Sequence, residues 1–342
     1  MNALEQTIRA VERVPLPDGI TQLGIEFLVG RMKRRLTAGV FGTVDDFARD
    51  MARRAIAEHV ESANEQHYEL PPEFFALHLG PRRKYSCCLY STGTESLAEA
   101  EEAALEATIA HAALCDGQRI LELGCGWGSL TLAMAERFRC ATITAVSNSH
   151  SQRRHIDAEA RARGLSNITV ITADMNRFEA AGTFDRIVSV EMFEHISNWK
   201  SVLERARTWL VCDGRLFLHV FSHRSHAYRF DHHDKADWIA RHFFTGGLMP
   251  SHRLIEQVTD RFQVEYVWRW SGEHYRRTAL DWLANFDRNT PRIDAVLAQA
   301  YGAEAALWRR RWRLFYLATA GLFGHDDGEE WGVSHYLLHP AS

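Results

Sequence analysis

No apolar run in this 342-residue chain approaches the roughly 18–20 residues that a membrane-spanning helix needs. The opening stretch, MNALEQTIRAVERV, lacks a basic region followed by an apolar one, so no secretory signal is read there and the cytoplasm is the expected compartment. Cysteines are few and irregularly spaced. The six (Cys87, Cys88, Cys115, Cys125, Cys140 and Cys212) form no CxxC pair, which predicts reduced thiols and argues against a disulfide framework or a zinc site. Basic charge is not in excess: a formal net charge of −4 argues against a nucleic-acid partner. The basic runs RMKRRL (31–36) and WRRRWRL (308–314) read as solvated helix faces. Internal repeats and low-complexity segments are also missing. What is present is an ordinary globular composition, 46% hydrophobic and 25% charged, with ten tryptophans and eighteen phenylalanines for a core and an aromatic-lined pocket.

Residues 4–66 have a helical pattern, through LVGRMKRRLTAGVF and then VDDFARDMARRAIAEHV, with apolar positions three and four apart. Prolines in ELPPEFF and LGPRRKYS mark breaks, and TGTESLAEAEEAALEATIAHAAL predicts a long helix starting near Thr94 or Ser96. Strands and helices then alternate. RILELG, TITAVSN, ITVITAD, RIVSVEMF and GRLFLHVF read as strands, with GWGSLTLAMAERF, SQRRHIDAEARARG and SVLERARTWL as helices among them. That alternation predicts a parallel sheet with helices on both faces. Between His219 and Phe262 it stops, in a stretch rich in His, Phe and Asp that reads as a cap. FQVEYVWRW (262–270) and GVSHYLL supply two late strands with helices between them, the last expected antiparallel beside the fifth.

The loop ELGCGWG, Glu122 to Gly128, sits where the first strand turns into a helix. Glycines there let the backbone approach a ligand; the plain alternative is a tight strand-to-helix turn. The register Gly124-Cys-Gly126-Trp-Gly128 lacks the final glycine of GxGxxG. Glu122, at the strand end, suits a cationic amino-acid ligand better than a pyrophosphate. S-adenosylmethionine has an ammonium, a sulfonium and an adenosine but no phosphate, and is the expected cofactor, with S-adenosylhomocysteine as product. Asp174, closing ITVITAD with Met175 after it, is suited to accept from the adenine amino group. Asn148 and Gln152 follow the second strand, where many such enzymes carry an acid, so the ribose contact falls to neutral amides.

Six stretches together resemble one superfamily: KYSCCLY (84–90) ahead of the SLAEAEEAALE helix, LELGCGWGSLTL, SVEMFEHI, FLHVFSH, FFTGGLMPS (243–251) and EHYRRTALDW (273–282). It contains the cyclopropane fatty acid synthases, the mycolic acid methyltransferases and the plant coclaurine N-methyltransferases. The chain is most similar to the coclaurine branch, through YSCC, EMFEH, FFTGG-MPS and the ending GEEWGVSHYLL. The resemblance implies an α/β fold of the class I S-adenosylmethionine-dependent methyltransferases, with a Rossmann-like seven-stranded sheet, an N-terminal helical segment and a helical substrate cap. The expected division is 1–105 closing over the cofactor, 106–222 as the cofactor-binding core, and 223–342 as cap plus the last two strands. It also implies that Tyr85 and Ser86 close over the cofactor and that Gly124 and Gly126 approach its methionine part. Cyclopropane synthases carry glycine where this chain has Glu191 and hold a bicarbonate ion as base, with ligands matching Cys87, Glu194, His219 and Tyr316. The N-methyltransferases carry glutamate at that position, beside residues matching Glu194 and His195, but phenylalanine in place of Tyr316. This chain has both sets.

SVEMFEHI puts two carboxylates and an imidazole directly after an apolar strand. A solvated loop is the plain reading; the chemical one is an amine site. An amine is mostly ammonium at neutral pH, so carboxylates draw it in and one of them, or the imidazole, takes its proton. Glu191 and Glu194, three apart, share a face if a helical turn follows the strand, and their closeness pushes one pKa up. His195, at an unperturbed value of about 6.5, would pass the proton outward. An alkene brings no charge, and unpaired carboxylates beside it cost desolvation energy. The expected activity is an S-adenosylmethionine-dependent N-methyltransferase acting on a small hydrophobic aromatic amine of the benzylisoquinoline or tetrahydroisoquinoline (coclaurine) type. The alternative is methyl or methylene transfer to an unsaturated acyl chain with bound bicarbonate. Only that alternative needs membrane contact, through RMKRRL; family precedent adds a homodimer. His219, His223 and His226 have the look of a metal set but run from a strand into a loop, so no metal is expected. Cys87 is given a packing or backbone-contact role.

Overall fold

The computed structural model describes residues 6, 11–14, 16–58, 70–234 and 237–341. Ahead of the sheet lie α1 (Asp18–Thr37), α2 (Val44–Met51), α3 (Pro72–His78) and α4 (Leu97–His111). α4 starts where its sequence signals: the Ser96 hydroxyl accepts from the Glu99 N–H while the Glu99 carboxylate accepts from the Ser96 N–H. α2 has the same reciprocal cap at Thr43 and Asp46, yet it ends at Met51, well short of the expected helix. The chain beyond is drawn onto other loops. Asn176 Oδ1 accepts from the Ala57 N–H (3.0 Å), Asn198 Nδ2 donates to the Arg54 carbonyl (2.9 Å), and the Ser197 N–H donates to the Ile56 carbonyl (2.8 Å). Tertiary hydrogen bonds override helix propensity there. Residues 59–66 of that expected helical stretch lie outside the described residues.

The alternating region forms β1 (Arg119–Leu123), α5 (Ser129–Arg137), β2 (Thr142–Ser147), α6 (His150–Ala162), β3 (Ile168–Thr172), β4 (Phe184–Val190), α7 (Trp199–Trp209) and β5 (Leu210–His223), with a 3-10 turn at Phe193–His195. A small hairpin of β6 (Tyr228–Arg229) and β7 (Leu248–Met249) brackets α8 (Trp238–His242), and α9 (Leu254–Val258) follows. β8 (Phe262–Ser271), α10 (Gly272–Arg288), α11 (Thr290–Tyr301), α12 (Ala305–Phe323) and β9 (Trp331–Pro340) come last. The sheet has seven strands in the order β3-β2-β1-β4-β5-β9-β8. β1 to β5 are parallel, and β9 runs antiparallel between β5 and β8, beside the fifth strand as a methyltransferase-type sheet implies.

Both faces of the central strands are apolar because helices cover both. Leu121, Leu123 and Ile187 pack with Trp199 and Leu203 of α7; Ile120, Val188 and Phe217 pack with Leu105 of α4, Leu130 of α5 and Ile156 of α6. A third cluster is built of rings from α3, α10 and α12, including Phe74, Phe75, Trp282, Phe286, Trp312 and Tyr316. It meets the sheet just after β1, where Phe75 and Trp127 lie with centroids 4.7 Å apart.

The basic runs are not simply solvated. In α12, Trp312 is buried and Trp308 packs against the ring cluster, while the intervening arginines bond within the molecule. Arg313 joins Asp18 and Asp287, Arg309 joins Asp294, and Arg311 joins Glu12. In α1, Lys33 bridges Asp326 and Glu330. His223 is not a loop residue either: it ends β5, buried, with Nε2 3.1 Å from Glu330 Oε1. Among the described residues no group of His, Cys, Asp or Glu is arranged to hold a metal, and no helix is long and apolar enough to cross a membrane.

Candidate active site

A cavity opens at the C-terminal ends of β1 to β4, the crevice where open α/β sheets bind ligands. Every residue that sequence reasoning gave to the cofactor lines it: Tyr85 and Ser86 from the N-terminal side, Glu122, Gly124 and Gly126 from β1 and its loop, Asn148 and Gln152 after β2, Asp174 and Met175 after β3. The glycine loop needs its glycines for two reasons. Gly124 has φ +80°, and a Cβ there would stand 2.6 Å from that of Met192. Gly126, at φ +51°, has nothing within 4 Å of where a Cβ would point, so its backbone is bare toward open space.

The polar lining is unfinished. Ser147 donates to Gln152 Oε1 (2.6 Å), which leaves Gln152 Nε2 buried without a partner among the described residues. Trp127 Nε1, Ser129 Oγ and Thr108 Oγ1 share that condition, and all four residues line this one cavity. Buried polar groups are rarely left so, and a polar ligand resolves all of them. Glu122 accepts from Thr131 Oγ1 (2.5 Å), and burial pushes its carboxyl up to about 7. Asp174 Oδ1 accepts from the backbone N–H and side-chain amide of Asn176. Arg83, not anticipated from the sequence, also lines the cavity; its guanidinium bonds the His155 ring (2.8 Å) and not a carboxylate. The signal lies in LGPRRKYS, whose proline marks a break and whose basic residues follow directly on it. This set of acids, amides, hydroxyls and a cation fits S-adenosylmethionine, which carries an ammonium, a carboxylate and ribose hydroxyls.

The residues of SVEMFEHI divide. β4 ends at Val190, and Glu191 takes a left-handed backbone at φ +46°. Its carboxylate is buried and holds three partners. Oε1 accepts from the Cys87 N–H (2.9 Å) and lies 3.1 Å from His219 Nε2, and Oε2 accepts from the Tyr275 hydroxyl (2.6 Å). Burial raises its pKa; Lys84 and these donors work against the rise. Glu194 is fully buried behind the turn and does not line the cavity. It accepts from the Phe221 N–H (2.6 Å) through Oε1, while Oε2 has no partner among the described residues. Burial, and then the charge of Glu191, push it well above the usual carboxylate range. Both acids of the pair are raised, Glu194 the further. His195 lines the cavity, and burial lowers it to about 4, in place of the expected value near neutrality.

The expected bicarbonate ligands are not gathered around a common space. The Cys87 N–H and His219 Nε2 face Glu191, Glu194 faces β5, and Tyr316 stands apart among rings, 5.5 Å from His78 by centroid, with its hydroxyl buried and unpartnered. Tyr275 was missed as a partner of Glu191 although it lies within EHYRRTALDW. From it an arc of rings returns to His195: Tyr275 stacks on Phe323 (4.4 Å), Phe323 meets Phe221 (6.1 Å), Phe221 meets Phe244 (5.6 Å), and Phe244 meets His195 (4.5 Å).

Known proteins resemble this chain in both sequence and fold. Residues 56–327 match the family described as mycolic acid cyclopropane synthetase. The chain is 34% identical to (S)-coclaurine N-methyltransferase of Thalictrum flavum subsp. glaucum, over 97% of this chain and 95% of that one. It is 29% identical to the cyclopropane-fatty-acyl-phospholipid synthase of Escherichia coli (strain K12), over 78% and 66%. Its fold superposes on the crystal structure of coclaurine N-methyltransferase bound to N-methylheliamine and SAH with a TM-score of 0.93 and 33% identity, covering 99% of this chain and 100% of that one.

Proposed function

The chain belongs to the mycolic acid cyclopropane synthetase family, and we propose that within it the methyl acceptor is a primary or secondary amine on a hydrophobic aromatic body, of the tetrahydroisoquinoline or benzylisoquinoline type. It is an S-adenosylmethionine-dependent N-methyltransferase, as near-full-length kinship with coclaurine N-methyltransferases supports. The observation that carries the acceptor is Glu191. Its carboxylate takes up the Cys87 N–H and faces His219, two of the groups that the lipid reading assigns to bicarbonate.

S-adenosylmethionine supplies an electrophilic methyl group on its sulfonium. The chain's own groups do the remainder. Asp174, Asn148 and Gln152 hold the adenosine, Glu122 and Arg83 meet the ammonium and carboxylate of the methionine part, and Tyr85 and Ser86 cover it. Glu191 draws the acceptor's ammonium in, and burial makes it a stronger base than an ordinary carboxylate, so it takes the proton that frees the lone pair. His195, neutral at pH 7, orients the nitrogen from the other side. Burial and the charge of Glu191 disfavour a second negative charge on Glu194. The ring arc joins the surroundings of Glu191 to those of His195, and aromatic faces there would favour a cation. The same reading carries a cytoplasmic location and, by family precedent, a homodimer.

Tyr316 is the observation that favours the second reading, methyl or methylene transfer to an unsaturated acyl chain, since its buried hydroxyl lacks a partner. Labelled cofactor decides between them, with tetrahydroisoquinolines in one reaction and unsaturated phospholipid vesicles in another. Fragmentation locates the label. We expect it on nitrogen; label in the acyl chain would overturn the amine reading.

A further inference from the structure

Behind Glu191 a line of imidazoles runs away from the cavity. His219 in β5 is paired in register with His335 in β9, and His335 with Trp268 in β8. His111, the last residue of α4, stacks on Trp268 with centroids 3.9 Å apart and planes 5° from parallel. Three neighbouring strands and one helix end thus bring the rings together. Glu191 Oε1 lies 3.1 Å from His219 Nε2, His219 Nδ1 lies 2.8 Å from His335 Nε2, and His335 Nδ1 lies 2.8 Å from His111 Nδ1. His219 and His335 are fully buried and His111 half-buried.

A neutral imidazole has one N–H and one lone pair. Three linked in series therefore have a direction: every N–H points toward Glu191, or every one points away. Pointing away sets the bare Nε2 of His219 against a carboxylate oxygen. Pointing inward gives Glu191 a donor and leaves the bare Nε2 of His111 at the half-buried end. We propose that His335 and His111 are positioning residues, which fix His219 as its Nε2–H tautomer and so keep Glu191 a carboxylate ready for the acceptor's ammonium. Burial favours the neutral form of all three rings, so the chain keeps its direction through the working pH range. The other groups acting on Glu191 are Lys84, the Cys87 N–H and thiol, Tyr275, His195 and Glu194. Lys84 also faces His219 and His335 and disfavours their protonation.

This inference rests on the amine reading, and its tests separate the two. In 15N-histidine spectra of the full-length protein, His219 and His335 should show Nε2–H and His111 Nδ1–H; a His219 Nδ1–H signal overturns the proposal without any turnover assay. With a tetrahydroisoquinoline as acceptor, His335→Leu removes the orienting partner. Glu191 then protonates at higher pH, so the acid limb of kcat/KM should move up by about one pH unit and the rate at pH values on that limb fall roughly tenfold, with cofactor affinity unchanged. His111→Ala, at the half-buried end, should shift the limb the same way by less. Gln at position 219 keeps an N–H toward Glu191 whatever stands behind it, so His219→Gln/His335→Leu should match His219→Gln alone. An acid limb that stays in place in both His335→Leu and His111→Ala refutes the positioning role. A wild-type enzyme inert toward every amine refutes the amine reading instead, while the tautomers still decide the direction of the chain.

Discussion

At the scale of single residues, Glu191 combines two features that pull apart. Its carboxylate is held by three groups, while its backbone sits in a left-handed conformation that L side chains rarely adopt. Such strain, of order 1–3 kcal/mol, persists where the surroundings enforce it. Glycine is at ease at this φ, so Glu191→Gly removes the chemistry without straining the fold. We expect methyl transfer to an amine to fall by about 10²–10⁴-fold, with a melting temperature equal to or above that of the wild type. A matching drop in thermal stability would instead mark Glu191 as structural. Gly124 is the converse case. A Cβ at φ +80° and 2.6 Å from Met192 has to move that side chain, so Gly124→Ala should destabilise the protein by about 1–3 kcal/mol. It should also weaken S-adenosylhomocysteine binding by calorimetry. EMFEH was legible as an acid/base cluster because residue types declare their chemistry. Its division, with Glu191 and His195 at the cavity and Glu194 behind, was not, because one positive φ decides which way each side chain leaves the turn.

At the scale of elements, period and capping carried far. The five parallel strands and the Ser96 start of α4 follow from local pattern, and the antiparallel last strand from the methyltransferase-type arrangement they fit. The early end of α2 does not, because the hydrogen bonds that stop it come from Asn176 and Asn198, more than a hundred residues away in sequence. The released segment has a use: Ala57 and Glu58 line the cavity, and Asn176 ties Ala57 at both its N–H and its carbonyl while also bonding Asp174. Asn176→Ala should therefore raise the dissociation constant for S-adenosylhomocysteine about tenfold, the equivalent of about 1.4 kcal/mol. Amide exchange should quicken at residues 52–58. Unchanged affinity would mean that this segment holds nothing in place. The ring arc is equally illegible in the sequence: Tyr275, Phe323, Phe221 and Phe244 come from four separate stretches, and only tertiary packing sets them beside one another.

At the scale of the whole molecule, the density of buried histidine governs response to acid. Burial lowers His78 to about 3 and His155, His195 and His223 to about 4. In the unfolded chain each takes up a proton near about 6.5. Below that pH the unfolded state binds more protons than the folded one, so the stability these groups contribute is lost as pH falls from about 6.5 toward their folded values. Glu122, raised to about 7, and Asp237, raised to about 6, act with the opposite sign in an overlapping window. A single-site comparison isolates one contribution. His78, fully buried among rings, should cost about 1.4 kcal/mol per pH unit of descent over its window. His78→Leu should therefore lose less stability than the wild type between pH 7 and pH 4 by urea titration, and parallel curves would remove His78 from the account.

The position of β9 between β5 and β8 bears on how the protein is made. Among the described residues β8 pairs with no strand but β9, and β9 follows it only after residues 272–330. A ribosome therefore delivers β8 long before its neighbour, and β5 waits with a bare hydrogen-bonding edge while the five helices α8 to α12 are synthesised. Such late, long-range closure is slow, and the waiting edge is open to wrong partners. Chaperone demand during synthesis should accordingly peak between the emergence of β8 and that of β9.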